Sequence, residues 1–174
     1  MTSLFRLFRR REEGHVSTEF AIMVPILLVF LVSAVELGMT TLRYSLLERG
    51  LDMVVRDIRI NTGYNPGHEE IVTRVCEEAA MIPDCEENLL LEMVVLDPRN
   101  WTGVPESTVC TDKTLDPQPV TEFKTGISNE LMILRACAKL EPLFPTTGLG
   151  SYFPKDDAGD FAIVATSAFV QEPR

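Results

Sequence analysis

Catalytic and metal-binding side chains are scarce in this sequence of 174 residues. It contains only two histidines, His15 and His68, which lie far apart in the chain. No Ser/His/Asp or Cys/His constellation can be assembled from them, and no glycine-rich phosphate loop follows a predicted strand. Paired glutamates such as Glu77 and Glu78 are typical of solvated faces rather than of general acid–base pairs. We therefore expect a protein that is not an enzyme and that uses no cofactor or metal.

Basic residues are also few, and their distribution is uneven. Asp and Glu number 26 against 16 for Lys and Arg, which gives a formal net charge of −10. This balance argues against a nucleic-acid partner, because a phosphate-binding surface needs clustered cations. The exception is the N-terminus, where four arginines precede an apolar run: Arg6, Arg9, Arg10 and Arg11. The positive-inside rule places this N-terminus in the cytoplasm and the rest of the chain outside.

The apolar run carries no charge from Phe20 to Val35. Three alternatives fit it: a secretory signal cleaved after the small residues that end at Ala34, an uncleaved anchor, or a pilin-type signal. In a pilin-type signal, cleavage precedes the run and the helix stays on the mature protein. Each alternative predicts a membrane partner for the run.

The helical pattern continues beyond the run. One apolar stripe follows the i, i+4, i+7, i+8, i+11 spacing through Leu47, Leu51, Val54, Val55 and Ile58. The sequence therefore predicts one helix over about residues 16–61, roughly 70 Å long at 1.5 Å per residue. Its first part would be the anchor, and its second part would belong to the outer domain.

The remaining chain predicts an α+β fold. Asn65 and Pro66 are typical of an N-cap and a first helical residue, so we expect a short second helix from there to about Met81. Three strands are predicted at 89–97, 132–140 and 161–170, with a long exposed loop over about 98–125. The alternation in the second strand indicates that it is half-buried. A small three-stranded antiparallel sheet with long loops, ordered as a meander and covered by the long helix, follows from this pattern.

All four cysteines lie in the outer part of the chain: Cys76, Cys85, Cys110 and Cys137. An even number in an oxidising compartment predicts disulfides, and the spacings fit neither a redox C-x-x-C site nor a zinc site. Of the three possible pairings, we favour Cys76 with Cys85 and Cys110 with Cys137. The first would pin the second helix to the first strand.

The residues around the start of the run carry a family resemblance. Gly14-His15-Val16-Ser17-Thr18-Glu19-Phe20 resembles the processing site of type IV pilins, with Glu as the fifth residue after cleavage. Continuing through Pro25 to Glu36-Leu37-Gly38, the stretch is similar to the TadE-like (TadE/TadF) minor pseudopilins of tight-adherence (Tad/Flp) type IVb pilus systems. Phe20 stands where the major Flp pilins typically carry Tyr. The resemblance does not separate TadE from TadF.

The resemblance implies a processing site, a set of partners and a location. A prepilin peptidase would cleave between Gly14 and His15. Other pilins or pseudopilins and the inner-membrane assembly platform would be the partners, in pilus assembly, adhesion and biofilm formation. The domains would be a leader (1–14), a transmembrane part (15–38) and an extracytoplasmic domain (39–174, of which 39–61 continues the helix). The protein would cross the bacterial inner membrane once, with its C-terminal domain in the periplasm.

Glu19 is the candidate assembly residue, together with Phe20. A carboxylate in apolar surroundings is costly unless it is paired, and the new α-amino group of a neighbouring subunit is the expected partner. The alternative is that Glu19 snorkels to the headgroups. For Glu36, near the outer rim, we expect a Gln substitution to have a milder effect.

Two rival functions fit the same sequence. The first is a membrane-anchored or secreted extracytoplasmic binding domain, whose apolar run is only an ordinary signal or anchor. The second is a pseudopilin of a type II secretion system, which shares the processing logic.

Overall fold

The computed structural model describes residues 15–61, 63–100, 108–115, 119 and 121–173, the side chain of His15 excepted. The helices are α1 (His15–Ile60), α2 (His68–Glu78) and the short α3 (Cys85–Asn88). The strands are β1 (Leu89–Leu96), β2 (Leu131–Leu140) and β3 (Phe161–Val170), with a 3₁₀ turn at Gly148–Ser151 before β3. The predicted α+β class, with one long helix, a short second helix and three strands, is confirmed.

Helix α1 is continuous over 46 residues and contains Pro25. Its outer half packs on the sheet through the predicted stripe, whose members are each at most 5% exposed: Leu47, Leu51, Val54, Val55 and Ile58. Helix α2 packs beside it and adds Ile71 and Val75, both fully buried, to the same core. The spacing of apolar residues thus fixes which side of α1 faces the domain.

The sheet is antiparallel, with strand order β1-β2-β3, and this confirms the predicted meander. Leu91 lies opposite Ala136, which lies opposite Ala165, and all three are fully buried. Small residues at the centre of the sheet leave room for the large side chains of α1. Strand β3 is half-buried, because alternate residues such as Ala162 and Thr166 are exposed.

Strand β2 differs from the prediction, since both of its faces are buried. On the face away from α1, Ile133 packs with Val94 and Leu96 of the neighbouring strand. Arg135 forms a buried ion pair with Glu92, and Cys137 bonds to Cys110 in the preceding loop. The alternation of residue types suggested a solvated face, but cross-strand partners and the tethered loop cover it.

Helix α2 also corrects the prediction at both ends. It begins at His68 with Gly67 as N-cap, not with Asn65 and Pro66, and it ends at Glu78 rather than near Met81. Gly67 makes no side-chain cap, but its carbonyl accepts the first helical hydrogen bond from Ile71. The short helix α3 was not predicted, because four residues are too few to show a helical period.

Two disulfides, with the pairing that the sequence favoured, connect these elements. Cys76–Cys85 links α2 to α3, and Cys110–Cys137 links the loop after β1 to β2. The described parts of that loop are tied to the sheet rather than freely exposed. Thr111 donates its hydroxyl to the Asn88 carbonyl, and residues 122–124 exchange backbone hydrogen bonds with Met93 at the edge of β1.

Candidate functional site on the N-terminal helix

The first half of α1 projects from the domain as an exposed apolar surface. Among the described residues, one helix is long and apolar enough to cross a membrane, and only 6% of its apolar window is buried. A core helix of the same composition would be mostly buried within its own protein. Its exposed side chains, for example Phe20 at 70% and Phe30 at 72%, therefore need lipid or other helices to cover them.

The predicted processing and assembly residues lie at the beginning of this surface. Gly14 is outside the described residues, and His15 is the first residue of α1. Glu19 and Phe20 follow within the second turn and are both exposed. The structure thus places a carboxylate among exposed apolar side chains, and its pairing with a neighbouring subunit stays a prediction.

Glu36, at the end of the apolar run, has a role that the sequence analysis missed. Its side chain is only 2% exposed, so it does not lie at a solvated rim. Oε1 accepts the backbone N–H of Leu143 at 3.1 Å, and Oε2 accepts that of Phe144 at 2.9 Å. Both carboxylate oxygens are therefore used to hold the connection between β2 and β3. A carboxylate suits this site because its two oxygens can each accept one of two parallel N–H donors.

The connection that Glu36 holds, residues 142–153, is here called the rim loop. Its 3₁₀ turn closes over the carboxylate at Gly150, where a Cβ atom would lie 2.6 Å from the Phe144 carbonyl oxygen and 3.2 Å from Glu36 Oε2. At Gly148, φ is +60° and a Cβ atom would lie 2.8 Å from Ser33 Oγ. Two glycines thus allow the loop backbone to approach α1 closely.

The turn after the rim loop is held by two ion pairs. Lys113 Nζ lies 2.8 Å from Asp160, whose side chain is 1% exposed, and this hydrogen bond raises the pKa of Lys113. Burial acts to raise the pKa of Asp156, but hydrogen bonds from Lys139 and from the Asp160 backbone N–H outweigh it, so the pKa is lowered. These lysines hold the turn against β2 and the loop after β1.

The structure separates the two glutamates of α1. Glu19 and Glu36 are 17 positions apart in one helix, or roughly 25 Å at 1.5 Å per residue. They therefore act at different heights: Glu19 within the exposed apolar surface and Glu36 where that surface meets the domain. The sequence does contain a signal for the role of Glu36, because its carboxylate lies between Val35 and Leu37. A charge in an apolar stretch is costly unless it has a partner.

Comparison with known proteins supports the resemblance. Residues 14–56 match the family model described as TadE-like protein. No curated protein and no solved structure matches the chain. The matched segment begins at Gly14, includes Glu19 and Glu36, and ends before the sheet. This family points to involvement in Tad pilus systems. The resemblance seen from Gly14 to Gly38 is thereby confirmed, and over residues 14–56 the N-terminal helix is similar to that of TadE-like proteins.

Proposed function

We propose that this chain is a non-enzymatic minor pseudopilin that is needed for assembly of a Tad/Flp-type pilus, and through it for adhesion and biofilm formation. One observation carries the proposal: the TadE-like match begins at Gly14 and runs along a helix whose apolar half is exposed. A helix of this kind anchors the protein in a membrane and offers other pilins a surface for packing.

Processing is the first step of the proposed role. A prepilin peptidase cleaves between Gly14 and His15 and removes the arginine-containing leader. The family match begins at Gly14, and cleavage after this residue leaves the described helix, His15–Ile60, on the mature protein. Cleavage by signal peptidase after Ala34 would instead remove the apolar half of α1 and leave Glu36 beside a new chain end.

Assembly is the second step, and it involves the exposed part of α1. Cleavage creates an α-amino group on His15, about one helical turn from Glu19. Glu19 pairs with the α-amino group of a neighbouring subunit, because opposite charges attract more strongly in surroundings of low dielectric constant than in water. Phe20 and the other exposed apolar residues pack against pilin helices or lipid.

The proposed location follows from charge and cysteine chemistry. The four arginines before the run keep the N-terminus in the cytoplasm, so α1 crosses the inner membrane once and the sheet domain is periplasmic. Both disulfides lie in that domain, in a compartment where they persist. The partners are prepilin peptidase, other pilins and the inner-membrane assembly platform.

Gene replacement tests this function in the bacterium that encodes the chain. Deletion should abolish or strongly reduce sheared surface pili, and the wild-type gene should restore them. The matched control is a chimaera that keeps residues 29–174, and so keeps Glu36 with its rim-loop donors, but replaces 1–28 with an unrelated membrane anchor. The chimaera should accumulate in the membrane without restoring pili. A fully piliated deletion strain would refute the proposal, and a fully active chimaera would favour an anchored binding domain.

A further inference from the structure

We propose that the rim loop rests on the periplasmic surface of the phospholipid bilayer and forms a second membrane contact beside α1. This inference rests on the proposed function in one respect, namely that α1 spans the membrane. The loop lies 106 or more positions beyond Glu36 in the sequence, so no local pattern associates it with the anchor. The association is visible only in the fold, where the loop packs against α1.

The height of the loop along α1 is the first argument. A spanning helix needs about 20 apolar residues, so the whole uncharged run that ends at Val35 is required to cross the bilayer. The rim loop contacts α1 within this run, where Gly148 lies against Val32 and Ser33, and Leu149 and Tyr152 line a shallow groove with Val29. Val29 is six residues before Val35, or roughly 9 Å lower along the helix. The loop therefore reaches the boundary between the headgroups and the acyl chains at the periplasmic surface of the membrane.

The second argument is that the loop is fixed at this height. Glu36 accepts the backbone N–H groups of Leu143 and Phe144, and the 3₁₀ turn covers its carboxylate. Lifting the loop away from α1 would leave a carboxylate without its donors in apolar surroundings, which is costly. Contact with the bilayer thus requires no rearrangement of the domain.

The third argument is the chemistry that the loop exposes. Tyr152 is 85% exposed, and Leu143 is 43% exposed. A tyrosine combines an apolar ring with a polar hydroxyl, and such side chains are enriched at membrane–water interfaces. Lys155, which donates to the Pro145 carbonyl, and the exposed Glu141 carry opposite charges at the two ends of the loop. Apolar and aromatic groups, rather than net charge, would therefore dominate the contact with phospholipid.

A tryptophan placed at Tyr152 tests this contact in the full chain. The chain has one tryptophan, so Trp101→Phe provides a background in which an introduced tryptophan is the only one. Tyr152→Trp is compared with Tyr44→Trp, a position in α1 eight residues beyond Glu36 and roughly 12 Å higher. Both proteins are reconstituted in phosphatidylcholine vesicles whose acyl chains are brominated near the headgroup. Flotation verifies insertion, and non-reducing peptide mapping verifies both disulfides.

The proposal predicts that the tryptophan emission of the Tyr152→Trp protein is blue-shifted and loses about half or more of its intensity to the brominated lipid. The emission of the Tyr44→Trp protein should be quenched by aqueous acrylamide and not by the lipid. Quenching of the Tyr152→Trp protein by acrylamide alone would overturn the proposal, because the loop would then lie in water. Protection from both quenchers would also overturn it, since another protein copy would then cover the loop. Failure to float would instead refute the anchor on which both proposals depend.

Discussion

The backbone N–H of Phe144 donates a 2.9 Å hydrogen bond to Glu36 Oε2, across 108 positions of sequence. With the neighbouring bond from Leu143, it joins the apolar helix directly to the connection between two strands of the sheet. The outer half of α1 is already part of the domain core. The carboxylate extends this attachment to the end of the apolar run, so rotation of the helix also rotates the sheet domain.

Replacement of Glu36 by Gln should loosen the rim loop. A Gln amide keeps one acceptor oxygen but directs an N–H₂ group at a backbone N–H donor, so one buried donor loses its partner at a cost of about 1–3 kcal/mol. Hydrogen exchange in the full chain should show faster exchange at the Leu143 and Phe144 amides. Glu48→Gln is the matched control, because Glu48 is exposed and accepts a hydrogen bond from the Tyr44 hydroxyl one turn away in the helix. Equal exchange in both variants would contradict the assigned role of Glu36.

Local patterns in the sequence predicted most of the fold. The 3.6-residue period of Leu47, Leu51 and Val54 fixed the buried side of α1, and short apolar runs located the three strands. The cysteine spacing favoured the observed disulfides. These predictions are correct because helices and strands depend on residues that are close in sequence. The two disulfides also close short loops, so their partners are close in sequence too.

Features that depend on distant residues were not predictable in the same way. Nothing near Glu36 indicates that its donors are Leu143 and Phe144, so a position at the solvated rim was the natural expectation. The second face of β2 is covered in a similar manner, by Glu92 opposite Arg135 and by the loop that Cys110 tethers. The predicted N-cap of α2 was wrong for a local reason, since the backbone is still extended at Gly67 and the helix begins only at His68.

Replacement of Glu19 by Gln should separate membrane insertion from assembly. An amide is less costly than a carboxylate among apolar groups, so insertion and cleavage should be unaffected. Attraction to the α-amino group of a neighbouring subunit should be lost, and surface pili should fall sharply. The measurement compares the mature protein in membranes with sheared pili, and Val16→Ile serves as a conservative control. Wild-type piliation would mean that Glu19 only snorkels to the headgroups.

Removal of the disulfides should destabilise the outer domain by unequal amounts. The two bonds span 9 and 27 positions. Loop-closure entropy then predicts that the free energy of unfolding falls by about 2.7 kcal/mol in the double variant Cys76→Ser, Cys85→Ser. In the double variant Cys110→Ser, Cys137→Ser it should fall by about 3.6 kcal/mol. Denaturant unfolding of the full chain in detergent measures both. A larger loss from the shorter loop would show that contacts around the bonds, rather than closure entropy, set their contribution.

Acid should weaken the turn that precedes β3. The pKa of Asp156 is lowered in the folded protein, so its ionised form contributes stability above the ordinary value of 3.8. That contribution is lost as the pH falls through the lowered pKa. Asp156→Asn should therefore lower stability at neutral pH by about 1 kcal/mol, a modest value because solvent screens the partly exposed pair with Lys139. The difference from wild type should shrink as the pH falls below about 4.

The control for this measurement is Asp157→Asn, at the exposed neighbouring position. In this variant the free energy of unfolding at neutral pH, and its change with falling pH, should both stay close to those of the wild type. An undiminished difference between Asp156→Asn and wild type at low pH would show that the carboxylate contributes through shape rather than charge.

The mature N-terminus tests the central claim most directly. Protein purified from membranes of cells that contain a prepilin peptidase should begin at His15, by N-terminal sequencing and intact mass. Gly14→Val should leave a precursor that retains the leader, because the bulky side chain replaces a small residue at the cleavage position. Gly38→Ala is the control, since beyond its own stretch of helix no atom of the described residues lies within 4 Å of the added Cβ, and it should mature normally. A mature chain that begins at Val35, an unprocessed start, or an unchanged mature mass in Gly14→Val would contradict the account.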